Sequence, residues 1–197
     1  MKQIIFIICL LVVSGFIQAQ EAVSNDTASD IAARFLAVNT LVSNFVQEKH
    51  MTLLTEPIIS KGKFAFSKDP AQIRWEYTEP FQNGFLLIGT KTFRLEKGSK
   101  IPVSTTLARN IATQMMLWLS FDLEELSKTY EIDYFDGGVT LAPKNKLTSL
   151  EKVTAWFSIK NPQTLEKIRL DEPGGDFTQI TFENPQINTV LDKDLFK

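Results

Sequence analysis

Few residues of this 197-residue chain could do covalent or metal chemistry. His50 is the only histidine and lies in the alternating stretch FVQEKHMTLL among polar neighbours, where a solvated or hydrogen-bonded imidazole is the simplest reading. The only cysteine, Cys9, falls in an N-terminal apolar run and could not join His50 in a zinc site once that run is removed. Ser-His-Asp or Cys-His catalysis would have to pass through His50, with no nucleophile-elbow motif to support it. No phosphate-cradling loop is present. The paired carboxylates Glu124-Glu125 and Asp192/Asp194 read as a solvated helix and a solvated tail rather than as the acid and base of a glycosidase. The sequence therefore gives no catalytic residue, no metal site and no cofactor, and the expectation is a protein that is not an enzyme.

What the chain offers instead is aromatic surface. In QIRWEYTEPF (72–81) an extended backbone puts Ile73, Trp75 and Tyr77 on one side and Arg74 and Glu76 on the other. The same alternation appears at Phe64/Phe66, Phe93/Leu95 and Tyr130/Ile132/Tyr134. Of 15 phenylalanines only Phe6 and Phe16 lie in the N-terminal run, so 13 remain with three tryptophans and three tyrosines. Any one ring could simply fill a β core. Together they exceed what a single helix-capped sheet needs, and a sheet curling into a half-barrel would direct them into a shared concavity. The expected cavity residues are Phe64, Phe66, Ile73, Trp75, Tyr77, Phe93, Leu95 and Tyr134, with Arg74 and Glu76 on a wet outer face.

The elements that must hold these rings are mostly strands. Residues 1–19 read as a cleaved secretory signal: Met1-Lys2, the apolar run Ile4–Val13, and Ala19 before the cut. The run is shorter than the roughly 20 residues of a membrane-spanning helix. Residues 20–197 then form a single domain without cysteine, stabilised by its core alone. Its formal charge is −3, from 20 basic and 23 acidic residues once Lys2 is lost, and no basic patch suggests nucleic acid. Ile31, Phe35, Val38 and Val42 have helical spacing and predict one opening amphipathic helix, with Thr27 or Ser29 as its cap. From Asn44 the period becomes two and recurs to the end of the chain, predicting a mostly antiparallel sheet with turns at Asp136-Gly137-Gly138 and Glu172–Asp176. The sheet is interrupted at 107–126, where Leu107, Ile111, Met115 and Trp118 form one helical face and Ala108, Ala112, Met116 and Leu119 make the next face apolar too. Such a helix is either sandwiched in a core or laid across a sheet as a cover, and the paired methionines favour the cover.

The order of these features resembles the periplasmic outer-membrane lipoprotein carrier family, LolA. The resemblance rests on the leading helix, Phe45-Val46-Gln47 opening the first strand, Gly62 before an alternating strand, and SKDPAQIRWEYTEP with Pro70, Trp75 and Pro80. It extends to FTQITFENPQINTVLDKDLF at the end of the chain. It implies an α+β, mainly β fold, an incomplete antiparallel β-barrel covered by a lid of α-helices over a hydrophobic cavity, with Leu107, Ile111, Met115 and Trp118 in the lid. The implied function is a periplasmic carrier of acylated lipoproteins, a monomer, taking cargo from an inner-membrane lipoprotein-releasing ABC transporter to an outer-membrane acceptor in a Gram-negative bacterium. The same fold could carry another amphiphile, such as a glycolipid or polyene lipid, or act as a sensor that binds a partner's tail. Two departures stand out. Asp69 occupies the position where well-known members have an arginine that helps hold the lid, and the chain stops at Phe196-Lys197 without the extension found in some members.

Overall fold

Alternating side chains produce eleven strands among the residues described by the computed structural model, which are 37–103, 105, 113–118, 122–145, 149–158 and 164–197. The strands are β1 (Thr40–His50), β2 (Ile58–Ser67), β3 (Gln72–Glu79), β4 (Asn83–Ile88), β5 (Lys91–Glu96), β6 (Ser99–Val103), β7 (Tyr130–Phe135), β8 (Gly138–Pro143), β9 (Lys152–Phe157), β10 (Leu165–Asp171) and β11 (Phe177–Ile187). They form one antiparallel sheet in the order β6-β5-β4-β3-β2-β1-β11-β10-β9-β8-β7. Most neighbours are joined by short turns, since chain neighbours pair readily. Asp136-Gly137 closes the β7–β8 hairpin with Gly137 at φ +75°, a conformation suited to glycine. Glu172 N–H donates to Asp176 O at 2.9 Å across the β10–β11 turn.

The edge strands β6 and β7 do not pair with each other, so the sheet is an open half-barrel. They are consecutive in the chain, and the connection from Val103 to Tyr130 therefore runs from one edge of the sheet to the other. Within it residues 113–118 are helical, and a separate helix α1 (Leu123–Thr129) follows. The Asp122 side chain accepts from the Glu124 and Glu125 N–H groups at 3.1 and 3.2 Å, starting α1 as an N-cap, and the two glutamates favour the positive end of the helix.

The opening helix expected through Val42 is corrected. Ile31 and Phe35 lie outside the described residues, but β1 already begins at Thr40, and Val42 pairs with Ala65 on one side and Gln186 on the other. The helical spacing of Val38 and Val42 is overridden by strand pairing on both flanks of β1. Leu41, Ser43 and Phe45 are buried at every second position, which is the periodicity of a strand.

Both faces of the sheet are covered. The inner face carries the larger core, including Leu41, Phe45, Phe64, Phe66, Ile73, Trp75, Val139, Phe157 and Phe182. Phe45 lies over Gly62, where an added Cβ would come within 2.4 Å of its ring and 2.3 Å of the Glu76 carbonyl oxygen, so this pair of strands closes only with glycine. The outer face carries a second core in which Ala65, Leu86, Leu95 and Phe196 pack with Val42, Ile88, Phe93, Leu191 and Leu195. The C-terminal segment thus lies against the back of the sheet. Arg74 anchors it by donating to the Leu195 carbonyl at 3.0 Å while its Nε donates to Glu76 at 2.9 Å. The expectation of a wet outer face around Arg74 and Glu76 is therefore corrected, because apolar residues near the end of the chain need this surface for burial.

Candidate functional site

The inner face is solid at one end and hollow at the other. At the solid end Phe66, Ile73, Leu41 and Leu87 meet across β2, β3, β1 and β4 and are buried. At the other end a cavity of about 580 Å³ opens, within the range of small-molecule sites. Its sheet side is formed by Gln47 of β1, Phe64 of β2, Trp75 and Tyr77 of β3 and Phe85 of β4. Ile168 and Leu170 of β10 and Ile180 and Phe182 of β11 continue the wall, with Tyr130, Pro143, Ser149 and Leu150 beyond them. Gln114, Met115 and Trp118 cover it from the helical segment. Among the described residues, none that lines the wall is charged.

Trp75 is the centre of the aromatic wall. Its ring lies 4.3 Å from Phe45, edge-on to Phe64 at 5.4 Å and stacked on Phe85 at 6.4 Å. It is only 5% exposed, so one side packs the core while the other borders the hollow. Tyr77 donates its hydroxyl proton to Gln47 Oε1 at 2.8 Å, and burial pushes its phenol pKa above the ordinary value. Trp118 Nε1 donates to the Tyr130 hydroxyl at 3.3 Å, tying the helical cover to β7. Burial raises the Tyr130 pKa as well. Both phenols are thus neutral polar groups in an apolar wall.

Of the residues singled out in the sequence, Phe64, Trp75, Tyr77, Met115 and Trp118 come together around this cavity. Phe66 and Ile73 face the same way but fill the solid end, and Tyr134 packs against that core without lining the hollow. Phe93 and Leu95 are corrected outright: β4–β5 pairing sets Phe93 opposite Leu86 and Leu95 opposite Gly84, which places both on the outer face. Leu107 and Ile111 lie outside the described residues. Ile168, Leu170, Ile180 and Phe182 were missed as wall residues. Their alternation in LEKIRL and FTQITF marked strands, but only the pairing of β1 with β11 shows that these strands share the face of Trp75.

The residues considered for chemistry do not converge on the cavity. His50 stacks on Phe177 at 4.2 Å and meets Glu48 Oε2 at 3.1 Å. Glu124 and Glu125 occupy the first turn of α1, and Asp192 and Asp194 belong to the C-terminal segment. Around the ends of β1 and β3, Leu53, Leu54, Ile58, Ile59 and Phe81 leave large apolar surfaces exposed, with Leu53 89% exposed. No helix among the described residues is long and apolar enough to cross a membrane.

An open antiparallel sheet curled around an aromatic-lined cavity, with no charge among the described lining residues and a helical cover at residues 113–118, is the architecture of a lipid-binding fold. The chain belongs to the family described as "Outer membrane lipoprotein carrier protein LolA", which it matches over residues 37–197. It is 25% identical over 192 residues to an outer-membrane lipoprotein carrier protein of Pseudoalteromonas translucida, covering 95% of this chain and 89% of that protein. It is 29% identical over 142 residues to the carrier of Cupriavidus necator, covering 70% and 65%. Among solved structures, the Pseudomonas aeruginosa MucA/MucB complex shares the fold, with a TM-score of 0.52 and 14% identity over 86% of this chain and 59% of the solved one.

Proposed function

We propose that this protein carries lipoproteins by sheltering their acyl chains in the inner-face cavity, between an inner-membrane ABC transporter that loads it and an outer-membrane acceptor that unloads it. The observation that carries the reading is a water-accessible hollow of about 580 Å³ whose described lining residues include none that is charged. Exposing an acyl chain costs about 0.8 kcal/mol per methylene. Sheltering a long chain is thus worth roughly 10 kcal/mol before losses, enough to make a carrier necessary between membranes. Exposed Leu53 and Phe81 add apolar surface near the ends of β1 and β3, where cargo held at a membrane could be met. The reading places the protein in the periplasm of a Gram-negative bacterium, exported by the signal at residues 1–19, working as a monomer without catalysis or a cofactor of its own.

Mass spectrometry of material copurifying from the native periplasm tests the proposal. Acylated protein in the cavity is the expected result. A free glycolipid or polyene lipid would assign the same cradle to another amphiphile. The likeness to MucB, solved in complex with MucA, supports a second reading in which the cradle binds a partner protein. Copurification of an unacylated polypeptide would favour that reading instead.

A further inference from the structure

Two polar groups of cavity-wall residues are left over by the packing, Trp75 Nε1 in the sheet wall and Gln114 Nε2 in the helical cover. Gln114 lines the hollow from the helical cover, and its amide nitrogen is buried yet makes no hydrogen bond among the described residues. Across the same cavity the Tyr77 hydroxyl donates to Gln47 Oε1, and the Gln47 amide group still carries two N–H donors. Two neutral amides therefore face an otherwise largely apolar space from opposite walls. In the empty cradle the Gln114 donor is closed off from water and unpaired. An entering hydrocarbon chain would leave that N–H stranded, at a cost comparable to that of a good hydrogen bond, whereas a ligand that brings an acceptor would relieve it.

We infer that Gln114 is a specificity-determining residue that donates to the carbonyl oxygen of the ester or amide joining an acyl chain to its carrier group, with the Gln47–Tyr77 pair as a second polar station. This deepens the lipid-carrier reading and rests on it. The chemistry of the wall sets the ligand class. None of the described lining residues is charged, so an ionised carboxylate or phosphate would meet no charged partner among them, whereas a neutral carbonyl supplies the acceptor that the amide lacks. The cavity should therefore distinguish acyl chains from plain alkyl chains of equal length.

The experiment compares displacement of a fluorescent apolar probe from the full protein by a diacylglycerol and by the dialkylglycerol of the same chain lengths, which has ether links and no carbonyls. Wild type should bind the diester about tenfold more tightly, equivalent to about 1.4 kcal/mol. Gln114→Leu should lose that preference while binding the diether as well as before or better, and its melting temperature, measured in parallel, should show that it folds. Gln114→Asn, which keeps the amide on a shorter arm, should retain part of the preference. An unchanged diester preference in a folded Gln114→Leu protein would overturn the inference while leaving the carrier reading intact. Failure of both lipids to displace the probe from wild type would overturn the carrier reading, and this inference with it.

Discussion

Ile168→Glu tests the cavity most directly, because Ile168 lines it without being one of the fully buried core side chains. Trp75 is a poor site for the same test. At 5% exposure and in ring contact with Phe45, a glutamate there would unfold the inner core before reporting on any ligand. At position 168 a glutamate would meet water in the empty cradle and ionise, with no cation among the described lining residues to pair with it. When an acyl chain enters, desolvation raises such a carboxyl's pKa by about 3–5 units, so it must take up a proton to share the cavity. From an unperturbed pKa of about 4.3, that proton costs about 3.7 kcal/mol at pH 7, a loss of several hundredfold in affinity. At pH 5 the same step costs about 1 kcal/mol, or about sixfold. Titration with a fluorescent fatty-acyl probe at the two pH values measures this directly, with thermal melts to confirm folding and Ile168→Gln as the uncharged control of equal size. The glutamine variant should lose affinity by the same factor at both pH values. If Ile168→Glu binds as wild type at pH 7, or if its defect does not shrink at pH 5, the acyl chain does not lie against β10 and the assignment of the cavity is wrong.

Gly62→Ala should destabilise the fold by about 1–3 kcal/mol in a denaturant titration, because the new methyl meets the Phe45 ring and the Glu76 carbonyl; a neutral effect would mean that Phe45 can move aside cheaply. Amides of residues 113–118 should exchange with solvent faster than those of β1 and β11, and acyl ligand should slow them, whereas equal protection with and without ligand would make the segment a fixed core helix. Asp69 is exposed in the β2–β3 turn, so Asp69→Ala should leave probe uptake rates unchanged while Asp69→Arg slows uptake if it restores a lid contact; a large loss in Asp69→Ala would reveal a contact of Asp69 itself. The carboxyl of Asp176 accepts from the Thr52 backbone N–H at 2.8 Å, which holds its pKa below the ordinary value. Its contribution is present above the unfolded pKa and is lost as pH falls through the folded one, so acid should lower the protection of the Thr52 amide relative to its intrinsic exchange rate, and Asp176→Asn should largely remove that pH dependence of protection.

The strands were legible because one property, alternation, marks them locally, and β2, β3, β7 and the Asp136-Gly137 hairpin could all be read from it. The assignment of faces was legible in one hairpin and not in another. Trp75 and Phe64 are opposite each other through the short β2–β3 turn, so their sharing a face follows from neighbouring segments. Phe93 and Leu95 alternate just as clearly, yet the β4–β5 register sends them to the back, and a period of two does not say which face is which. Ile180 and Phe182 reach the cavity because β11 pairs with β1 from the far end of the sequence, a contact that no local pattern encodes. The C-terminal segment was misread for a related reason. Leu191, Leu195 and Phe196 are too few and too irregular to show a period, but the outer face buries them.

The connection between edge strands bears on what the composition of 107–126 left open. A wide apolar arc fits both a helix inside a core and a helix over a hollow, and amphipathicity does not separate them. Topology does. With β6 and β7 at opposite edges of an eleven-strand sheet, the chain between them must traverse a face, and Met115 and Trp118 lie against the inner one. Phe66, Ile73 and Leu41 fill one end of that face and leave the other end to be roofed by Gln114, Met115 and Trp118. The roof therefore packs partly on side chains and partly over space. In the carrier proposed above, an acyl chain entering the hollow would gain contacts with roof and wall together. Such a carrier must also release its cargo, and the division would serve that: the solid end stabilises the fold whether or not the cavity is filled, and loading and unloading would change the contacts of the hollow end alone.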